Sequence, residues 1–326
     1  MTGRRGSDRM LPGTACVKKI LYLALAAAAL AGCNQSPEYY LKRGNSQLSS
    51  GKEKLALANY DKALLLRRNF PEALTARGMI YERQGDKQKA ALDYKRAIES
   101  GANYLPAYTN MAGLLMDGGN YREAVDYLSQ ALAIEPEYDY ALLNRGLSYY
   151  KLGDCVSAKA DLTIALRLNP KFELAYYHRA LCERREKDFR AALADLDAVL
   201  ALNPAAGIAL LERGKLKFAA GDYAGASPDF FRVIKLGKEN APAVYWLALS
   251  QHKAGDQEGA LENALKAAQL KPEAALYAGL LGDIYAARKD KARAGEYYLK
   301  AAGLSANYSA YYKARYAALR KAAGKR

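Results

Sequence analysis

The sequence predicts an all-α protein: a right-handed α-solenoid of eight 34-residue helix–turn–helix repeats over residues 37–308, closed by a basic capping helix over 309–326. Three observations predict it. Pro136, Pro170, Pro204 and Pro272 are separated by 34 residues or twice that. In a 34-residue frame opened at Pro37, position 20 is alanine in every copy: Ala56, Ala90, Ala124, Ala158, Ala192, Ala226, Ala260 and Ala294. Position 8 is always small, with Gly44, Gly78, Gly146, Gly214 and Gly282 in five copies and Ala112, Ala180 and Ala248 in the others. Self-similarity at such a period is the mark of stacked supersecondary units.

Ahead of the repeats, residues 1–32 have the organisation of an export signal. Arg4, Arg5, Arg9, Lys18 and Lys19 face Asp8 alone, and an uncharged apolar run follows from Ile20 to Ala31. Twelve helical residues rise about 18 Å, short of a hydrocarbon core of roughly 30 Å, so the run cannot span a bilayer. A basic start, a short apolar stretch and small residues at its end describe a secretory signal. The end reads Leu30-Ala31-Gly32-Cys33, which resembles a bacterial lipobox. That resemblance implies that the Cys33 thiol takes a diacylglycerol, that the chain is cut just before it, and that the new amino terminus is acylated. Several acyl chains on one residue are enough for stable membrane anchoring. Asn34 rather than an aspartate follows the cysteine, which leans the expected destination to the outer membrane, facing the periplasm. Residues 33–36 then form a short acylated linker.

Within each repeat the pattern reads as two antiparallel helices. Small residues at position 8 of the first helix and position 20 of the second let the backbones approach. Position 27, occupied by Ala63, Ala97, Ala131, Ala165, Val199, Val233, Ala267 and Ala301, does the same against the next repeat. Bulky residues at positions 4, 11 and 24, such as Leu142, Tyr149 and Leu162, fill the space around these crossings. Between the helices stand Gly85-Asp86, Gly153-Asp154, Gly221-Asp222 and Gly255-Asp256. Glycine accepts the left-handed conformation that ends a helix, and aspartate caps the next one. Lys187 and Lys289 occupy the glycine position in two repeats. A proline near position 32 closes a unit before the following helix. Pro228 falls inside a second helix, and the expected accommodation is a late start with Ser227 as N-cap and Pro228 as the first helical residue. After the eighth copy, Tyr312, Tyr316 and Leu319 are spaced to cover repeat 8. Lys313, Arg315, Arg320 and Lys321 give the solvent-compatible face that a terminal unit requires.

This pattern, unbroken by insertion or deletion over residues 37–308, resembles the tetratricopeptide repeat family. The resemblance implies a scaffold that binds other proteins. Composition agrees by exclusion. A chain that is 51% hydrophobic is not disordered. Two histidines and four scattered cysteines offer little to a metal site or a Cys–His nucleophile pair. The sequence contains no glycine-rich phosphate loop, G-x-S-x-G elbow, H-E-x-x-H or C-x-x-C. The expectation is a protein without catalytic activity, cofactor or metal. Cys155 and Cys182, in neighbouring repeats, read as packing thiols, with a disulfide as the alternative.

The charge is +15, from 49 basic and 34 acidic residues, and removing residues 1–32 leaves +11 in the mature chain. The repeats themselves are therefore basic and favour anionic partners, among which nucleic acid is ruled out by the export signal. Family resemblance places positions 2, 5, 6, 9, 12 and 13 of the first helices on a concave surface. In repeats 4 to 7 these supply Asn144, Tyr150, Lys151, Tyr177, His178, Arg184, Arg185, Lys215, Phe218, Tyr245, Trp246, His252 and Lys253, with Glu212 the one acid. Repeats 1 to 3 offer Glu38, Glu72, Glu82 and Asp117 against Lys42 and Arg83. The sharper reading is a partner-binding groove for an extended, acidic, aromatic-containing protein segment; the plainer one is a solvated helix face. The Lys/Asn clamp of chaperone-binding relatives does not fit, because Leu41 and Ala76 stand at its positions. Lipoproteins of this plan resemble the assembly proteins of type IV or Flp pili and secretion systems. Adaptors for peptidoglycan hydrolases or outer-membrane protein assembly, and polysaccharide-export scaffolds that bind anionic glycan, are the alternatives.

Overall fold

The computed structural model describes residues 35–237 and 240–321; the signal segment and Cys33 lie outside the described residues. The chain divides into two compact units, residues 1–136 and 137–326. The first contains α1 (Pro37–Ser49), α2 (Glu53–Leu66), α3 (Pro71–Arg83), α4 (Lys87–Ser100), α5 (Leu105–Asp117) and α6 (Tyr121–Ile134). The second opens with α7 (Asp139–Leu152), α8 (Cys155–Leu168), α9 (Glu173–Arg185), α10 (Phe189–Leu202), α11 (Gly207–Ala219) and α12 (Tyr223–Leu236). It continues through α13 (Ala241–Ala254), α14 (Gln257–Leu270), α15 (Ala275–Ala287), α16 (Lys291–Leu304) and α17 (Ala306–Lys321). Each odd-numbered helix from α1 to α15 packs most heavily on the even-numbered helix that follows it, and α17 packs on α16. Consecutive first helices also touch, α1 with α3 and α3 with α5 in the first unit, α7 with α9 and α11 with α13 in the second. This is the α-solenoid that the 34-residue frame predicts.

The crossings explain the small residues. All eight position-20 alanines are completely buried. A Cβ added to Gly44, Gly78 or Gly282 would come within 2.5–2.6 Å of Tyr60, Tyr94 or Tyr298, and one on Gly214 would meet Phe230 at 2.8 Å. On Gly146 it would meet Leu162 at 2.7 Å. Where position 8 is alanine, position 24 carries Leu128, Leu196 or Ala264 and never a ring. The interhelical gap is close-packed, so volume gained on one helix must be given up on the other.

The turns hold even where their chemistry departs from the pattern. Gly153 has φ 88°, and Lys187 and Lys289 adopt the same left-handed geometry at φ 66° and 65°. A side chain there costs roughly 1–2 kcal/mol. The aspartate that follows compensates: Asp188 accepts from the Ala191 N–H at 3.1 Å and Asp290 from the Arg293 N–H at 3.0 Å, capping α10 and α16.

Pro228 is handled differently from the sequence expectation. α12 starts on time at Tyr223, capped by Asp222, and carries Pro228 in its interior. The aspartate cap and the buried Ala226 fix the helix start. The proline ring is exposed, and Ser227 Oγ donates to the Tyr223 carbonyl at 3.1 Å, occupying one carbonyl near the missing rung. The final helix begins at Ala306, three residues ahead of the frame boundary. Tyr312 lies so close over Gly279 that a Cβ there would meet its hydroxyl at 2.2 Å.

One structural regularity escaped the sequence reading. Arg77, Arg145, Arg179 and Arg213, all at position 7, each make a two-pronged contact with an aspartate at position 23: Asp93, Asp161, Asp195 and Asp229. Arg77 and Arg213 also reach Asp61 and Asp197 of the preceding repeat, at 2.7 and 2.6 Å. Planar guanidinium forks suit such bidentate pairing, and they lock both the repeat and its joint.

Candidate functional site

The eleven residues Asn144, Lys151, Tyr177, His178, Arg184, Arg185, Lys215, Tyr245, Trp246, His252 and Lys253 all lie on α7, α9, α11 and α13 of the second unit. The structure uses them unequally. His178 sits between Tyr150 and Tyr177, with ring centroids 4.9 and 5.3 Å away. Burial, helped by the Lys151 charge, pushes its pKa down to about 4, so the imidazole is neutral at physiological pH. Arg185 lies over the Tyr150 ring at 4.5 Å, a cation–π contact. Glu212 accepts from Arg184 at 2.5 Å and from Lys215 at 2.9 Å, so two of the cations share one carboxylate. Lys151 and Lys253 are exposed.

Trp246 packs edge-on to Phe218 at 5.3 Å and nearly parallel to Phe230 at 5.9 Å. It closes the hydrophobic cluster of Ala226, Phe230 and Leu247 and is a wall of the core more than a projecting anchor. Tyr245 stacks on Tyr277 at 4.8 Å, and burial raises its hydroxyl to about 12. His252 Nδ1 lies 2.9 Å from Gln257 Oε1, and the Gln257 amide donates back to the His252 carbonyl at 3.1 Å, which ties this histidine to the inter-helix turn. Asn144 is half-buried and lends its carbonyl to Ser148 Oγ at 2.9 Å.

The most exposed feature of this face was not singled out from the sequence. Position 2 of the repeats presents Tyr140 (54% exposed), Leu174 (54%), Ile208 (65%) and Leu276 (42%). In the first unit the same position holds Glu38 and Glu72. Between α9 and α11 the apolar side chains border a cleft of 330 Å³, walled by Leu174, Tyr177, His178, Val199 and Ile208. Gly207 leaves it open, since a Cβ there would find only Leu236, at 3.9 Å. A second hollow of 380 Å³ is lined by Tyr245, Leu276, Leu280, Tyr308, Tyr311 and Tyr312. At its edge the Asp283 carboxylate accepts from Tyr298 Oη at 2.8 Å and from Arg315 at 2.5 Å. The signal that could have found position 2 is an apolar residue recurring every 34 residues at a site the frame leaves in solvent.

Among the described residues no cluster of His, Cys, Asp and Glu could hold a metal ion, and no helix is long and apolar enough to cross a membrane.

A family profile described as tetratricopeptide repeat matches residues 41–104, 143–207, 183–240, 211–269 and 247–311, and a further TPR repeat profile matches 113–153. A profile for the prokaryotic membrane lipoprotein lipid attachment site matches residues 18–34. No curated protein matches the chain. Among solved structures, a tetratricopeptide repeat protein from Parabacteroides merdae is 22% identical, with a TM-score of 0.54 over 77% of this chain and 99% of its own. The pilF structure from Pseudomonas aeruginosa is 20% identical, with a TM-score of 0.56 over 64% of this chain and 94% of its own. Likeness at this level is a likeness of fold.

Proposed function

This chain belongs to the tetratricopeptide repeat family, and we propose that it is a non-catalytic scaffold, anchored in the outer membrane through acylated Cys33 and facing the periplasm. Its work is to position partner proteins in an envelope assembly of the pilus or secretion type. The observation that carries the binding part is the exposed apolar row at position 2 of the second unit, running past the α9/α11 cleft on helices whose C-terminal ends carry exposed cations. An extended partner segment fits this chemistry: an apolar or aromatic side chain enters the cleft, and acidic neighbours meet Lys151, Arg185 and Lys253. Flat rings and arginine are the side chains that supply most binding energy at such surfaces, while exposed cations mainly steer approach.

The net charge of the repeats favours a second reading, in which the same face holds an anionic glycan. One experiment separates the two. The mature protein and a Leu174→Glu/Ile208→Glu variant are used to capture material from solubilised envelopes. Discrete proteins that are retained by the wild type and lost from the variant support the scaffold. Heterogeneous anionic polymer retained by both supports the glycan. Discrete proteins retained equally by both place the binding site elsewhere on the chain.

A further inference from the structure

The geometry points to a redox staple: Cys155 and Cys182 join in a disulfide that pins α8 to α9 inside the second unit. Cys155 is the first residue of α8, directly after the Asp154 cap, and is half-buried. Cys182 is buried on α9. α8 and α9 pack on each other, both thiols are free, and the Cys155 side chain is near enough to Cys182 to help raise its pKa. Arg185, one helical turn beyond Cys182, brings Nη1 to 3.9 Å from Cys155 Sγ. The approach is built into the repeat. In the first unit, Arg83 reaches Glu53 at 3.3 Å from the same two frame positions that Arg185 and Cys155 occupy. The architecture therefore delivers position 17 of one repeat to this stretch of the next, and this chain places a thiol on each side.

The bond forms by thiol–disulfide exchange with a small disulfide such as oxidised glutathione, or with an envelope thiol oxidase. The Cys155 thiolate attacks one sulfur of the oxidant and expels a thiolate, leaving a mixed disulfide on Cys155. Cys182 then loses its proton to solvent, attacks Cys155 Sγ, and expels the second thiolate. Two protein thiols are oxidised, and one disulfide is reduced to two thiols. Cys155 goes first because it is the partly exposed sulfur. Burial, and then its neighbour Cys155, raise the Cys182 pKa above the ordinary thiol value, so closure is the slower step. The closed loop contains all of α8 and most of α9, and removing its freedom from the unfolded chain stabilises the joint beneath Tyr150 and His178. That this chemistry runs in the cell rests on export to the envelope, where disulfides persist.

The test uses the full mature chain in detergent, equilibrated in glutathione buffers from fully reduced to fully oxidised, then acid-quenched, alkylated and peptide-mapped by mass spectrometry. The expected result is loss of both alkylatable thiols in the oxidised buffer, with a linked Cys155–Cys182 peptide. Cys182→Ser should stop at a glutathione adduct on Cys155, and Cys155→Ser should leave Cys182 alkylatable only after denaturation. A wild-type chain that accumulates a stable adduct on Cys155, or keeps both thiols free when oxidised, overturns the staple. Failure of the anchoring reading shows separately, because unacylated Cys33 would appear as a third alkylated peptide.

Discussion

The volume exchange between positions 8 and 24 can be tested by moving one repeat to another repeat's solution. In α11, Gly214 lies under Phe230, and an added Cβ would sit 2.8 Å from the ring, well inside the roughly 3.5–4.0 Å at which carbon atoms pack best. Gly214→Ala should therefore lose about 1–3 kcal/mol to overpacking. It should also gain about 1 kcal/mol from helix propensity, a net loss of roughly 0–2 kcal/mol. Phe230→Leu alone should lose about 1–2 kcal/mol of apolar contact and cavity. The double variant recreates the Ala180/Leu196 pair of repeat 5. With the ring gone, the added methyl should become favourable and recover up to about 1 kcal/mol. The expected coupling is therefore favourable and on the order of 1–3 kcal/mol. Long arrays need not unfold as one unit, so the measurement is hydrogen exchange of α11 and α12 amides alongside urea unfolding. Additivity within about 0.5 kcal/mol would show that the glycine is not there to make room for the ring.

Lys187→Gly and Lys289→Gly should each stabilise the protein by about 1 kcal/mol, because both lysines hold positive φ; equal or lower denaturation midpoints would refute the strain. Cys33→Ser should abolish labelling by radioactive palmitate and release the chain from the membrane fraction, and undiminished labelling would place the anchor elsewhere. For His178, the pKa of about 4 against the ordinary 6.5 means that between these values the unfolded chain binds a proton the folded chain refuses. The His178 contribution to stability should fall as pH drops through that window, by about 2 kcal/mol between pH 7.5 and 5. His178→Phe should remove this loss, and an unchanged pH slope in urea denaturation would count against it. Glu183, raised by burial and then by Asp195 to about 7 from 4.5, acts with the opposite sign. Its contribution is present at low pH and is lost as pH rises from 4.5 through 7, so Glu183→Gln should flatten that side.

The fold was legible because its determinants repeat. One alanine at a crossing says little, but eight at the same phase, all completely buried, can be read without coordinates. The cap aspartates were legible for the same reason. Pro228 was misread because local propensity was allowed to outvote the frame. In isolation a proline marks a helix start, yet here the Asp222 cap and the buried Ala226 set the register, and an exposed ring with one bridged carbonyl is tolerated. The Arg–Asp forks were missed for a different reason. Positions 7 and 23 hold the pair in repeats 2, 4, 5 and 6, but Arg43 with Asn59, Met111 with Tyr127, Leu247 with Asn263 and Leu281 with Tyr297 in the others, so the signal is a correlation between two columns and not a constant in either.

The candidate face was legible as a set of helices but not as chemistry. The repeat frame grouped the candidates, and all eleven lie on the first helices of one unit. It could not say which side chains are already satisfied. Tryptophan is a residue type that often anchors interfaces, yet Phe218 and Phe230 hold Trp246 against the core. Arg184 and Lys215 read as two free cations, yet both are drawn to Glu212. Lys215 and Glu212 are neighbours on one helix, whereas the Arg184–Glu212 and Trp246–Phe218 partnerships join different repeats, at distances that a single-repeat reading does not see. Leu174 and Ile208 remain exposed at the rim of the α9/α11 cleft, beside the exposed cations Lys151 and Lys253. Residue type therefore overstated the charge of this surface and understated its hydrophobicity. Trp246→Ala should consequently disturb the packing of α12 and α13 before it disturbs any partner, and Leu174→Glu is the cleaner probe of binding.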